Sequence, residues 1–227
     1  MRKKLVSIRV IVGWSILAAL GVAARVLGDW YPAPALAGLI VVAVLPMVVV
    51  LIRRERAHRW MNRWAETVGW TEIDRDSRDW PWRGLNPSGE ALVKRAWTHE
   101  VDGYPVTAGE VGWSGGAFAG AVLLREGRGI FVVVRLPLPA PPMAMRLPYE
   151  FVGDSQRLNQ PALRQAYLDG KIPPWTARGD EMFTIESQDA WITPDATDCA
   201  VRRALRVVQL LDLGPDVSSV PTGHFPP

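Results

Sequence analysis

The sequence predicts a membrane-anchored α+β protein, in which a two-helix transmembrane hairpin is followed by an antiparallel β-meander domain with flanking helices. Three observations predict it. Two apolar runs stand close together near the N-terminus, strand-like stretches meet at an Asp102-Gly103 turn signal, and Thr193-Pro194 opens a late amphipathic segment.

The first run, Val10 to Ala24, has no charge and extends over 5–27 if Arg9 and Arg25 snorkel to the interfaces. The second, 34–52, is nineteen residues without a charge. A spanning helix needs roughly 17–25 residues, so each is long enough. Only 28–33 lie between them, with Trp30 and Tyr31 suited to the headgroup level, so the two helices must be antiparallel. Arg and Lys crowd Met1 to Lys4 and the flank with Arg53, Arg54 and Arg56, while the connecting loop has none. By the positive-inside rule, both the N-terminus and the C-terminal domain face the cytoplasm of a two-span protein in the cell membrane. A cleaved leader is the competing reading of the first run, but the second run and its arginines would still hold the domain inside.

Charge separates the two parts of the chain. Residues 1–63 carry ten Arg and Lys against two acids, a balance of +8, so the total of +3 leaves −5 on the remainder. A mildly acidic domain has no electrostatic reason to collect nucleic acid, and that partner class is set aside in favour of the lipid bilayer and a membrane protein complex. The single cysteine, Cys199, has no intrachain partner for a disulfide.

The domain boundaries follow: a hairpin over 1–53, a juxtamembrane amphipathic helix over 54–70, a cytoplasmic α+β domain over 71–212 and a disordered tail over 213–227. Ala57, Trp60, Met61, Trp64, Ala65 and Val68 recur at helical spacing, with Gly69 placed as a C-terminal cap. This helix either continues the second span or lies on the membrane. Strands are expected at Ala91 to Val101, Tyr104 to Trp113, Ala121 to Arg125 and Ile130 to Leu136, as an antiparallel meander. The proline run from Leu136 to Pro142 is expected to end the sheet, because proline cannot donate to a ladder. A helix over Pro161 to Leu168, a strand over Met182 to Glu186 and the helix after Thr193-Pro194 complete the domain.

Few residues suggest chemistry. His99, Glu100 and Asp102 are close in sequence, yet strand alternation sends His99 to the face opposite Glu100 and Asp102. Gly112 to Gly120 is glycine-rich but lacks the Lys and Ser/Thr of a phosphate-binding loop. Ser114 has no nucleophile-elbow context, and Cys199 lies one turn before Arg202 and Arg203. The expectation is therefore no catalytic residue, no metal and no cofactor. The tryptophans stand out, with nine of eleven after the anchor. Trp60, Trp64, Trp80, Trp82, Trp97 and Trp113 are candidates to touch a ligand or lipid, and equally to fill an irregular core.

The stretches WAETVGW (Trp64 to Trp70), WRG (Trp82 to Gly84), VVVRLPLP (Val132 to Pro139) and FTIES...AWITPDA (Phe183 to Ala196) together resemble a group of uncharacterised actinobacterial membrane-anchored proteins. The likeness covers most of 54–212. It implies a bacterial cell-membrane location and carries over no catalytic residue. The functional expectation is a membrane-tethered, non-enzymatic interaction or accessory module. A small-ligand or lipid-binding domain is the alternative, and a hydrolase using Ser114 or the His99 group the third.

Overall fold

The computed structural model describes residues 33–83, 85, 89–189 and 192–214. The first expected span, with Arg9, Arg25, Trp30 and Tyr31, lies outside them, as does the tail from 215. Helix α1 runs Ala33–Val68. Over the second expected span its side chains are described only at Leu45, Val48, Val49, Leu51 and Ile52, all exposed. Arg53 and Arg56 beyond them are exposed too, and the side chain of Arg54 is not described. Among the described residues no helix is long and apolar enough to cross a membrane. The chain divides into two compact units, Met1–Arg56 and Ala57–Pro227.

The second unit is an α+β domain. Its order after α1 is β1 (Thr71–Ile73), β2 (Glu90–Val101), β3 (Tyr104–Ser114), β4 (Gly127–Arg146), β5 (Glu150–Val152), a 3-10 turn (Gln156–Asn159), α2 (Pro161–Leu168), β6 (Trp175–Ser187) and α3 (Pro194–Leu210). The six strands form one antiparallel sheet in the order β1-β2-β3-β4-β5, with β6 also paired to β4. α1 ends as expected at Gly69, whose φ of 84° is the left-handed conformation. Trp70 N–H donates to the Ala65 carbonyl at 2.8 Å and Gly69 N–H to Glu66 at 3.4 Å, so the last carbonyls are satisfied. The β2–β3 turn also follows its sequence signal. Asp102 (φ 52°) and Gly103 (φ 79°) both take the positive φ that a two-residue hairpin turn of matching twist requires.

Two expectations are corrected. The proline run does not end the sheet, because β4 continues through it to Arg146. Its pairing with β6 shifts register between Arg135 and Ala140 and again between Ala140 and Met143, so the prolines sit where the ladder is interrupted and asks for no N–H donor. Ala121 to Arg125 is not a strand. Ala117, Ala119, Ala121 and Val122 donate to carbonyls three or four residues back, a chain of tight turns that folds the segment under the sheet.

Both faces of the sheet are buried. On one, Val106, Ala108, Ile130, Val132 and Val134 pack with Met61 and Ala65 of α1, Leu163 of α2, and Val201, Leu205 and Val208 of α3. On the other, Val111, Phe131, Val133, Phe183 and Ile185 meet no helix among the described residues. They are covered by Trp80, Trp82, Phe118 and Val122, supplied by irregular segments. The period-two alternation of β4 explains the division, since 130, 132 and 134 face the helices while 131 and 133 face the aromatic layer.

Candidate functional site

The six candidate tryptophans divide sharply. Trp80, Trp82, Trp97 and Trp113 are buried, and Trp64 is partly buried against the helical core. Only Trp60 is largely open, at 49%. Trp80 and Trp82 stack at 5.3 Å, and Trp82 meets Phe118, Phe131 and Phe183 edge-on at 5.6, 5.2 and 5.6 Å. The polar ends are satisfied inside the fold, with Trp80 Nε1 donating to the Arg75 carbonyl at 2.9 Å and Trp113 Nε1 to that of Leu124 at 3.1 Å. Trp80, Trp82 and Trp113 fill the side of the sheet that no described helix covers, whereas Trp97 packs in the helical core.

The catalytic candidates are dispersed. Ser114 ends β3 while His99 pairs with Val106 near its start. Eight residues of extended strand separate Val106 from Ser114, roughly 27 Å. Glu110 and Glu186 share the helical face and flank Ile130 in register, but each holds its own cation. Lys94 Nζ lies 3.2 Å from Glu110, and Arg203 Nη1 lies 2.5 Å from Glu186. These are ion pairs of the fold, not a free acid and base. Among the described residues no group of three or more His, Cys, Asp or Glu is placed to hold a metal ion.

Burial pushes the Glu186 carboxyl above its ordinary range, and Arg203 pulls it back only in part. One oxygen takes the guanidinium, while Oε1 is buried without a partner among the described residues. The folded state thus binds this proton more tightly than the unfolded chain. Its contribution to stability is complete below the ordinary carboxylate range and is lost as pH rises through the raised value. Glu186→Gln should flatten that part of the profile. Urea midpoints of the detergent-solubilised full chain, measured between about pH 4 and pH 8, should decline less with pH in the variant. Parallel profiles would show that burial does not govern this carboxyl.

What the fold does leave open is a groove of about 350 Å³ between the β2–β3 hairpin and α3. One wall is Val68, Trp70, His99 and Val101, and the other is Val201 and Leu205. His99 lies against Trp70 with ring centroids 5.5 Å apart, and its imidazole passes close to Gly69. Asp102 joins the same groove as His99, against the expectation from strand alternation, because its left-handed turn conformation breaks the alternation. The rim carries Asp198, Arg202, Arg206 and Gln209, a stripe at helical spacing along the open side of α3. Asp198 and Arg202 form an ion pair, and Arg206 Nη1 donates to the Gln209 amide oxygen at 3.3 Å.

A second hollow of about 330 Å³ is lined by Lys171, Cys199, Arg202, Arg203 and Arg206. Arg202 and Arg206 line both. Cys199 is exposed there, so its neighbours are the arginines that the sequence placed beside it. No family model, no curated protein and no solved structure matches the chain.

Proposed function

We propose that the chain is a membrane-tethered, non-enzymatic interaction module, which receives a partner in the groove between the β2–β3 hairpin and α3. The observation that carries this is the contrast between the two kinds of surface. The sheet is closed on both faces by packed side chains, while the groove keeps an apolar floor and a charged rim open to solvent. Concave apolar surface with a few polar groups around it is how binding sites are commonly built. The +8 balance of residues 1–63 and the two apolar runs support a two-span anchor, with the domain at the inner face of a bacterial membrane. The lipid-binding alternative relied on tryptophans, and of its six candidates only Trp60 is largely exposed. A hydrolase would use Ser114 or the His99 group, but Ser114 stands at the opposite end of the hairpin from His99, and His99 packs against Trp70.

Val68 offers a direct test, since it is 46% exposed on the groove wall and a substitution there removes no core packing. Full-length protein purified from native membranes should bring down a reproducible partner, and Val68→Asp should reduce that recovery by about tenfold, a loss near 1.4 kcal/mol. A chain that is strictly monomeric in detergent and brings down nothing would defeat the reading. So would undiminished recovery with the variant.

A further inference from the structure

The groove and the basic hollow are two halves of one site, and we infer that the partner presents an acidic peptide segment carrying an apolar side chain. The inference rests on the groove being the docking surface. Arg202 and Arg206 form the ridge between the two hollows, and each arginine borders both. A ligand seated across that ridge meets apolar walls on one side and cations on the other.

The cations converge from separate elements. Lys171 follows α2, its N–H donating to the Ala166 carbonyl at 2.8 Å, whereas Arg202, Arg203 and Arg206 belong to α3. A solvated helix face would account for the arginines alone, but not for a lysine brought onto them by tertiary folding. Like charges at i,i+4, as Arg202 and Arg206 are, oppose folding slightly. Internal carboxylates hold three of the four: Asp169 holds Lys171, Asp198 holds Arg202 and Glu186 holds Arg203. Arg206 has the neutral Gln209 amide instead, and the one further acid among the described lining residues, Asp102, belongs to the groove and not to the basic hollow, so the positive charge is concentrated on the hollow's side. Among the described residues no acid lines the basic hollow itself, so its charge complement is an anion.

The apolar half chooses between sources of that anion. Trp70 is buried at 7% and the groove is recessed between two elements, so it takes a projecting side chain from outside. Insertion into a bilayer wants the reverse, apolar side chains that project from the protein. An acidic protein segment with an apolar anchor fits both halves, and an anionic lipid surface fits only the cations.

Anisotropy titrations of the full chain in phosphatidylcholine nanodiscs would test this, with fluorescein-labelled peptides of about eight residues: acidic, acidic with a central Leu, and the basic counterpart of the latter. The Leu-bearing acidic peptide should bind about tenfold tighter than the all-acidic one, and more weakly as salt is raised. Lys171→Glu with Arg206→Glu, both exposed positions, should cost at least about tenfold, while Val68→Asp should remove only the advantage of the Leu. Circular dichroism would establish that the variants fold. Absence of acidic-peptide binding, equal binding of the basic peptide, wild-type affinity in the charge-reversed variant, or full competition by phosphatidylglycerol vesicles would each overturn the inference. If the acidic peptides fail while Val68→Asp still strips the co-purifying partner, the acidic segment is wrong and the docking surface stands. If neither responds, both fall.

Discussion

Trp82→Ala should lower the unfolding free energy of the full chain by about 3–5 kcal/mol, the range for deleting a large aromatic side chain from a core. Trp82 is central to the aromatic layer. It touches Trp80, Phe118, Phe131 and Phe183, and the last two are held as diagonal neighbours on β4 and β6, since Phe131 pairs with Ile185 and Phe183 with Val133. Neighbours held by the sheet cannot collapse into the space left behind, so the cost should lie toward the upper end of the range. Trp60→Ala is the matched control, because a largely exposed ring contributes little and the change should stay within about 0.5 kcal/mol. Urea unfolding followed by far-UV circular dichroism gives both values. Equal losses would mean that the layer under the sheet is not a core.

Gly109→Val sets two effects against each other. Valine favours strands, and the whole propensity scale spans about 1 kcal/mol. Steric overlap works the other way. A Cβ at 109 would meet the Arg95 carbonyl oxygen, the Phe131 ring at 2.8 Å and the Ala96 Cα at 2.9 Å. The register shift between Val93 and Arg95 marks where β2 departs from regular pairing beside this glycine. Backbone cannot step aside as the end of a long side chain does, so the overlap wins. The variant should lose about 3 kcal/mol, the upper part of the usual range for overpacking. A stabilised or unchanged variant would show that β2 does not approach β3 so closely.

The sequence is legible where the physics is local. The Asp102-Gly103 turn, the Gly69 cap and the helix after Thr193-Pro194 each depend on backbone conformations or caps set within a few residues. Thr193 caps that helix by accepting from Ala196 N–H at 3.2 Å. The misread stretches depend on distant partners. Whether Pro137 to Pro142 ends a strand is decided by the bulged register with β6, about forty residues later. The positions of Trp80 and Trp82 are set by Phe131 and Phe183, and their own segment has no periodicity to reveal them. The groove was half legible. His99 and Asp102 stood out, and so did the arginine face of α3, but nothing in the intervening hundred residues says that the two meet. The apolar hinge between them, Val201 and Leu205, looked like any helix core.

Photocross-linking in native membranes probes the docking surface most directly. A benzophenone amino acid at Val68, on the groove wall, would be compared with one at Leu123, 84% exposed on the turn segment under the sheet and absent from the groove lining. Adducts to a partner from position 68, with none from 123, are the expected result. Adducts from 123 alone would place the interaction on the opposite side of the domain and contradict the account.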